Sequence, residues 1–174
     1  IILPKYKNLY NSDIKKKNNK DFFTVVDVMV ENKLKIMLKS FLPNSLFIGE
    51  ELYATNPEIL NYYTKSKYCW TVDPIDGTNN FIKGKDNFAI MLSLSFKEKI
   101  LQSWIYKPIT DEFFCATLDE GAFINNKRIF NNKETLISKS IGSISSKYWE
   151  NNYDIKMNSI KKNFKKIDSY GCIG

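Results

Sequence analysis

The 174-residue chain contains no histidine, and this absence excludes whole classes of site within it. Without an imidazole it has neither a histidine acid–base catalyst nor a histidine-ligated zinc ion. Only three cysteines are present, and their wide spacing fits neither a disulfide framework nor a zinc site. Cysteine used this sparingly is typical of a reducing compartment, so we expect a cytoplasmic protein.

Arginine and long hydrophobic runs are also scarce. Arg128 is the only arginine among 26 basic residues, although the formal net charge is +7. Bidentate recognition of phosphates or bases would normally require more arginine. The charge therefore indicates either a solvated lysine-rich surface or attraction of an anionic substrate or nucleic acid. No stretch approaches the ~20 apolar residues of a membrane-spanning helix, and the 43% hydrophobic content indicates a folded globular protein.

The most informative stretch is W-T-V-D-P-I-D-G-T-N-N-F, residues 70–81. The apolar run from Cys69 to Val72 predicts a short buried strand that leads into an acidic turn with Asp73 and Asp76. Thr78 is predicted as the N-cap of a helical turn that follows. This order would place carboxylate ligands for a hard cation beside backbone N–H groups able to hold an anion. The stretch therefore predicts a phosphate-and-metal site.

Two further carboxylates lie at junctions between predicted elements. Asp27 closes the segment D-F-F-T-V-V-D and precedes an amphipathic helix that ends near Pro43. With Thr24 it resembles a capping box, which alone would explain it structurally. Glu50 follows a short strand, where an ordinary acidic turn is the alternative to a ligand position. Oxygen ligands of this kind favour Mg²⁺ or Mn²⁺ over zinc.

The remainder of the chain predicts the fold class. From Phe88 to Ile129, alternating apolar and polar residues predict an antiparallel meander of short strands. A change in composition then marks a boundary, after which a strand, a helix and a strand are predicted at residues 141–145, 151–166 and 167–170. We predict an α+β fold with an N-terminal metal-binding phosphatase domain at residues 1–133 and the beginning of an α/β domain at 134–174.

These motifs resemble the signature of the inositol monophosphatase family of Mg²⁺-dependent sugar phosphatases. The resemblance is carried by G-E-E at Gly49–Glu51, by D-P-I-D-G-T-N-N-F at Asp73–Phe81 and by D-x-x-T-x-x-D at residues 21–27. It extends over roughly residues 10 to 130 through Tyr106 with Pro108, Glu112-Phe113 and the G-A-F-x-N of Gly121 to Asn125. The resemblance implies a layered α/β/α/β/α sandwich and a homodimer.

The resemblance also implies a metal site. Glu50, Asp73 and the backbone carbonyl of Ile75 would hold the first ion. Asp73 would bridge to a second ion that Asp76 also binds. The cofactor implied is Mg²⁺, as two or three ions, with Mn²⁺ as an alternative.

The catalytic roles follow from the same resemblance. Thr78 and Asp27 would orient the attacking water, and Glu50 would assist as a third catalytic residue. The backbone amides of Gly77 and Thr78 would hold the phosphate, and Lys16 would contact the site from a flexible loop. The substrate-binding residues implied are Asp73, Ile75, Asp76, Gly77 and Thr78.

The implied function is a Mg²⁺-dependent, Li⁺-sensitive phosphomonoesterase that hydrolyses a sugar or polyol phosphate such as inositol 1-phosphate by attack of a metal-activated water. A 3′(2′),5′-bisphosphate nucleotidase is the alternative within the superfamily, although Asn79-Asn80 resembles the T-N of the inositol-phosphate branch more closely. Non-catalytic binding to RNA or to a transcription complex is the alternative of another class. The family's later W-D-x-A-A-G motif has no counterpart, so we expect the chain to lack the C-terminal part of a longer enzyme.

Overall fold

The computed structural model describes residues 1–17, 21–130, 136–139, 141–142 and 166–167. The chain divides into two compact units, Ile1–Ile129 and Phe130–Gly174. The helices of the first unit are α1 (Ile2–Lys5), α2 (Val25–Phe41), α3 (Glu50–Thr55) and α4 (Thr78–Ile82), with 3₁₀ turns at Asn11–Asp13 and Pro57–Tyr62. Its strands are β1 (Ile14–Lys16), β2 (Phe22–Thr24), β3 (Leu46–Gly49), β4 (Tyr68–Asp76), β5 (Ala89–Phe96), β6 (Lys99–Lys107), β7 (Glu112–Thr117), β8 (Gly121–Ile124) and β9 (Lys127–Ile129). None of the helices in these described ranges has the length and apolar character to cross a membrane.

Strands β3 to β9 form one seven-stranded sheet in sequence order, and β1 pairs with β2 as a separate ribbon. Strand β3 runs parallel to β4, whereas every later neighbour in the sheet is antiparallel. The predicted meander is therefore confirmed, as is the α+β class. The single parallel pair matters for the site, because the carboxyl ends of β3 and β4 meet at one edge of the sheet.

Helix α2 closes one part of the core against the sheet. Its residues Val26 and Val30 are buried with Ile75, Phe81 and Phe88 in one apolar cluster. A second cluster is formed by Leu38, Phe47, Trp70 and Val72. Burying an apolar side chain of this size stabilises a fold by about 1.5–3 kcal/mol. The two clusters therefore anchor α2, and with it the acidic residues of its first turns, over β4.

In the second unit the structure describes two short strands, β10 (Ile141–Gly142) and β11 (Lys166–Ile167), which pair in parallel. A 3₁₀ turn at Ile137–Lys139 precedes them. The helix predicted at residues 151–166 lies outside the described residues, except for its last residue, which belongs to β11.

Candidate active site

The first turn of α2 uses the two carboxylate oxygens of Asp27 for different purposes. Oδ2 accepts hydrogen bonds from the backbone N–H of Thr24 (2.8 Å) and from its hydroxyl (2.6 Å). Thr24 Oγ1 in turn accepts from the N–H of Val26, which completes the predicted capping box. Oδ1 is 3.3 Å from the hydroxyl of Thr78. The capping contacts therefore use Oδ2 and leave Oδ1 of Asp27 for the contact with Thr78.

The acidic segment after Val72 is not the turn that the sequence predicted, because β4 continues through it to Asp76. Asp73 pairs with Met91 and Asp76 with Ala89, so β4 has one residue more than β5 between these two pairs. Residues three apart in a regular strand point to opposite faces, and a one-residue bulge breaks that alternation. Pro74, which has no N–H to donate to the ladder, is accommodated within this bulge. The bulge therefore allows Asp73 and Asp76 to approach each other.

The chain leaves β4 through Gly77, whose φ of 86° lies in the left-handed region that favours glycine. A Cβ atom here would also stand 2.9 Å from the carbonyl oxygen of Asn87. Gly77 is the N-cap of α4, and the prediction that Thr78 would cap this helix is wrong. Thr78 is instead the first helical residue, and this shift leaves its hydroxyl available for other contacts.

The Thr78 hydroxyl lies between two acceptors. Its Oγ1 is 2.9 Å from the carbonyl oxygen of Ile75 and 3.3 Å from Oδ1 of Asp27. A hydroxyl has one proton to donate. The shorter distance favours donation to the Ile75 carbonyl, so Asp27 Oδ1 is the weaker acceptor of the two in this structure.

Glu50 and Glu51 form the first turn of α3, directly after β3. Glu31, which the sequence analysis did not single out, holds this turn in place from α2. Its carboxylate accepts hydrogen bonds from the N–H groups of Glu51 (2.8 Å) and Leu52 (2.9 Å). It also fills the space that a Cβ atom on Gly49 would need. A signal for Glu31 does exist, since it follows Asp27 by four residues and so shares its helix face.

Electrostatics show that these carboxylates are close to one another. Burial, together with the nearby charges of Glu50, Asp76 and Asp27, raises the pKa of Asp73 to about 8. A hydrogen bond between the Asp73 and Glu50 side chains also contributes to this rise. Burial raises the pKa of Asp27 too, against the hydrogen bonds from Thr24. A group of anions this crowded favours a nearby cation.

A lysine ammonium supplies one positive charge at this place. Lys17 Nζ donates to Oε1 of Glu50 at 2.7 Å and to Oε1 of Glu51 at 2.6 Å. Burial nevertheless raises the pKa of Glu51 to about 7, because it outweighs the effect of Lys17. Lys16, the lysine that the resemblance implied, is exposed on β1. The residue that reaches the acidic group is its neighbour.

The residues present fit a hard divalent cation by their chemistry. Glu50, Asp73, Asp76 and the Ile75 carbonyl provide only oxygen donors, which Mg²⁺ prefers. The raised pKa of Asp73 reflects burial first and repulsion by neighbouring carboxylates second, and a bound cation would offset both. As they stand, however, no three acidic or cysteine side chains within the described ranges are already arranged to hold a metal ion.

An open groove of about 670 Å³ borders this acidic group on one face of the sheet. Glu50 and Asp73 lie along it, together with Tyr53 and Leu60. Its floor comes from neighbouring strands and includes Thr71, Ser93 and Ser103. The groove shows that the carboxylates can be reached from solvent in the first unit.

Comparison with known proteins identifies the family. The model of the inositol monophosphatase family matches residues 1–173. Inositol monophosphatase of Dictyostelium discoideum is 32% identical over 167 residues, which are 96% of this chain and 59% of that protein. Nus factor SuhB of Vibrio cholerae is 34% identical over 116 residues, 65% of this chain and 40% of that protein. The chain spans about half the length of the curated relatives it matches.

The fold comparison agrees with this result. The solved structure of Thermotoga maritima IMPase superimposes with a TM-score of 0.76 and covers 98% of this chain and 62% of that one. Its 24% sequence identity supports likeness of fold. The family match extends over nearly the whole chain, and the chain belongs to the inositol monophosphatase family.

Proposed function

We propose that the whole protein is a divalent-cation-dependent phosphomonoesterase that acts on a sugar or polyol phosphate. The observation that carries this proposal is the contact of Thr78 Oγ1 with both Asp27 and Ile75, beside the carboxylate of Asp73. These groups come from separate segments of the chain. Their convergence on one edge of the sheet supports a catalytic site better than a structural role, since Asp27 is already satisfied as a capping residue through its other oxygen.

In this proposal Glu50, Asp73 and the Ile75 carbonyl hold one Mg²⁺ ion, and Asp73 with Asp76 hold a second, with Mn²⁺ as a substitute. When bound, such ions lower the pKa of a water molecule and neutralise charge on a phosphate. The chemistry of the donor set supports the proposal, because all of the donors are oxygens. Burial and repulsion among these carboxylates also favour the binding of a cation.

The Thr78 hydroxyl would orient the nucleophilic water. In the structure its proton favours the Ile75 carbonyl at 2.9 Å over Asp27 at 3.3 Å. If that carbonyl serves as a metal ligand, the proton is left for Asp27 Oδ1. The lone pairs of Oγ1 then become free to accept a proton from water. Asp27 would thus act as the final acceptor of a two-residue relay, and Glu50 would assist from the other side of the group.

The phosphate would lie on the backbone amides of Gly77 and Thr78, with Asp73, Ile75 and Asp76 as the other substrate contacts. The left-handed conformation of Gly77 supports this placement, because it turns the chain sharply from β4 into α4. The first N–H groups of a helix have no acceptor within the helix, so they are available to an anion.

The finer parts of the proposal rest on the relatives. A relative named inositol monophosphatase, matched over 96% of this chain, supports a polyol phosphate as substrate. We propose it over a 3′(2′),5′-bisphosphate nucleotide, which remains the alternative substrate class. A cytoplasmic homodimer, as the resemblance implies, belongs to the same proposal and is tested by light scattering of the purified protein.

Phosphate release from a panel of inositol, fructose, histidinol and nucleotide phosphates tests the proposal. We expect release to require Mg²⁺, to stop with a chelator and to fall at least about 100-fold in Asp76→Asn. Glu58→Gln, an exposed carboxylate in the Pro57–Tyr62 turn, is the matched control and should keep the rate. Equal rates in Asp76→Asn and the control would refute the assignment.

Binding to RNA or to a transcription complex is a second candidate function. Two observations support this candidate function: one relative is named Nus factor SuhB, and the net charge is +7. Binding that weakens steeply with salt and persists in Asp76→Asn would support this function, because phosphate contacts are electrostatic and independent of the metal site.

A further inference from the structure

Lys17 is held more firmly than a surface lysine normally is. Its ammonium bridges Glu50 at 2.7 Å and Glu51 at 2.6 Å, and its side chain is only 16% exposed. The ring of Phe23 lies 5.8 Å from Nζ and covers it on another side. Exposed ion pairs contribute little, but a partly buried ammonium shared by two carboxylates is better shielded from solvent. The ion pair is therefore a defined feature of the metal-free protein.

The carboxylate that Lys17 contacts is one that the proposed function requires. Glu50 is the only member of the proposed metal-ligand set that comes from α3, and its Oε1 is the atom to which Lys17 donates. A lysine ammonium and a divalent cation repel each other at hydrogen-bonding distances from one carboxylate. Binding of either cation to Glu50 therefore disfavours the other.

We propose that Lys17 is a tethered internal cation that competes with the divalent metal for Glu50 and so sets the metal concentration at which the site fills. The inference rests on the proposed function, because it takes Glu50 as a metal ligand. In this role Lys17 weakens metal binding. In the absence of metal, the ammonium keeps Glu50 and Glu51 together; once metal is bound, Lys17 releases Glu50 and keeps Glu51.

The size of the effect follows from population arithmetic. If the ion pair is formed about 90% of the time, only about one molecule in ten presents a free Glu50, and the apparent metal affinity falls about tenfold. Replacing Lys17 by methionine keeps most of the length and the apolar character of the side chain while it removes the charge. Lys17→Met should therefore bind metal about tenfold more tightly.

Isothermal titration of Mg²⁺ and Mn²⁺ into the whole protein, at physiological ionic strength, tests the proposal. The matched control is Lys15→Met, which removes the same charge from an exposed position two residues away. We expect the Kd to fall about tenfold in Lys17→Met and less than about twofold in Lys15→Met, because salt screens the more distant charge. Lys17→Arg keeps the positive charge and should keep the weak affinity of the wild type.

A second measurement needs no loss of charge and works even if Lys17→Met does not fold. The side-chain NH₃⁺ signal of Lys17 in NMR spectra, assigned by its loss in Lys17→Arg, should report an ion-paired lysine without metal. It should move as Mg²⁺ saturates the site, while the other lysine signals stay in place. An unmoved signal at saturation would contradict the competition.

The outcomes are distinct. Equal or weaker metal binding in Lys17→Met, with clear binding by the wild type, overturns the competition and leaves the proposed function intact. An equal gain in Lys15→Met overturns it as well, because general charge then explains the effect. Absence of binding by the wild type and by every variant overturns the metal site itself, and the role of Lys17 with it.

Discussion

The hydroxyl of Thr78 lies 3.3 Å from Oδ1 of Asp27, although 51 positions separate the two residues in the chain. The first turn of α2 and the first residue of α4 supply the two groups. Both helices are anchored by the same buried cluster, to which Val26 and Phe81 belong. The contact is therefore a product of core packing, and any change that loosens this cluster should disturb it.

Thr78→Ala is predicted to lower the rate of phosphate release by about 10²–10⁴, the usual contribution of a positioned proton-transfer group. Thr78→Ser keeps the hydroxyl and should retain most of the rate. The measurement is kcat with the best substrate of the panel, together with the metal-induced rise in melting temperature as a control for folding. A loss of rate that is equal in both variants would contradict the role of the hydroxyl.

Asp73→Asn is predicted to stabilise the metal-free protein while it abolishes stabilisation by Mg²⁺. Burial, and after it the charges of Glu50 and Asp76, raise the pKa of this carboxyl, so a neutral side chain removes the cost of placing a charge there. Asparagine keeps an oxygen that can accept from the N–H of Ile75, as Asp73 Oδ1 does at 3.1 Å. We expect a gain of about 1–3 kcal/mol in the free energy of unfolding with a chelator present.

Thermal melts of Asp73→Asn with a chelator and with millimolar Mg²⁺ check this prediction. The exposed Glu58→Gln should behave as the wild type in both conditions. A variant that melts lower than the wild type without metal, yet still gains from Mg²⁺, would contradict the metal-site assignment.

The stability of the metal-free protein is predicted to fall as the pH rises between about 4.5 and 8. Glu51 and Asp73 have folded-state pKa values raised to about 7 and about 8. In this range the unfolded chain releases protons that the folded state still holds, so rising pH favours unfolding until the folded carboxyls ionise as well. We expect a loss of several kcal/mol across the range, since each unit of pKa difference between the folded and unfolded states is worth about 1.4 kcal/mol. Denaturant unfolding at a series of pH values measures it, and saturating Mg²⁺ should remove most of the slope.

Gly49→Ala is predicted to destabilise the protein by about 1–3 kcal/mol, the usual effect of overpacking. The new methyl group would overlap the Glu31 carboxylate, which is fixed by the N–H groups of Glu51 and Leu52. Glu31→Ala alone should also destabilise the protein, because it leaves these donors without their acceptor. In the double variant the two losses should fall short of additivity by about 1 kcal/mol, since the clash is gone. Strict additivity in the double-mutant cycle would contradict the steric account.

Much of the fold and part of the site follow from local sequence patterns. The capping box of Thr24 and Asp27 is a short-range signal, and the structure forms it as predicted. The meander after Ala89 was predictable for the same reason, because strand alternation and turns are local properties. The residue at which α4 begins was not predictable in this way. Threonine is a good N-cap, and the left-handed conformation of Gly77 moves the cap by one residue.

Long-range pairings escaped prediction. Glu31 lies on an amphipathic helix, where a charged residue usually faces solvent. The two N–H groups that donate to its carboxylate lie on α3, 20 and 21 residues away in the chain. Lys17 belongs to a run of three lysines, and the sequence does not show which of them reaches the acidic group. The choice between Lys16 and Lys17 depends on how β1 pairs with β2, where Lys16 faces Phe22. Such details are set by tertiary packing, which no local pattern contains.

The extra residue of β4 between Asp73 and Asp76 has a consequence for how distant relatives should be read. Side chains alternate between the two faces of a strand. Deletion of Pro74 or Ile75 would therefore remove the bulge and leave the two aspartates two positions apart in a regular ladder. Such a protein would keep both acidic letters in an alignment and could keep the pair of Asp76 with Ala89, but it would lose Pro74 or Ile75 and with it the bulge that sets the two aspartates relative to each other. The count of residues between the two aspartates is therefore as informative about a working site as the aspartates themselves.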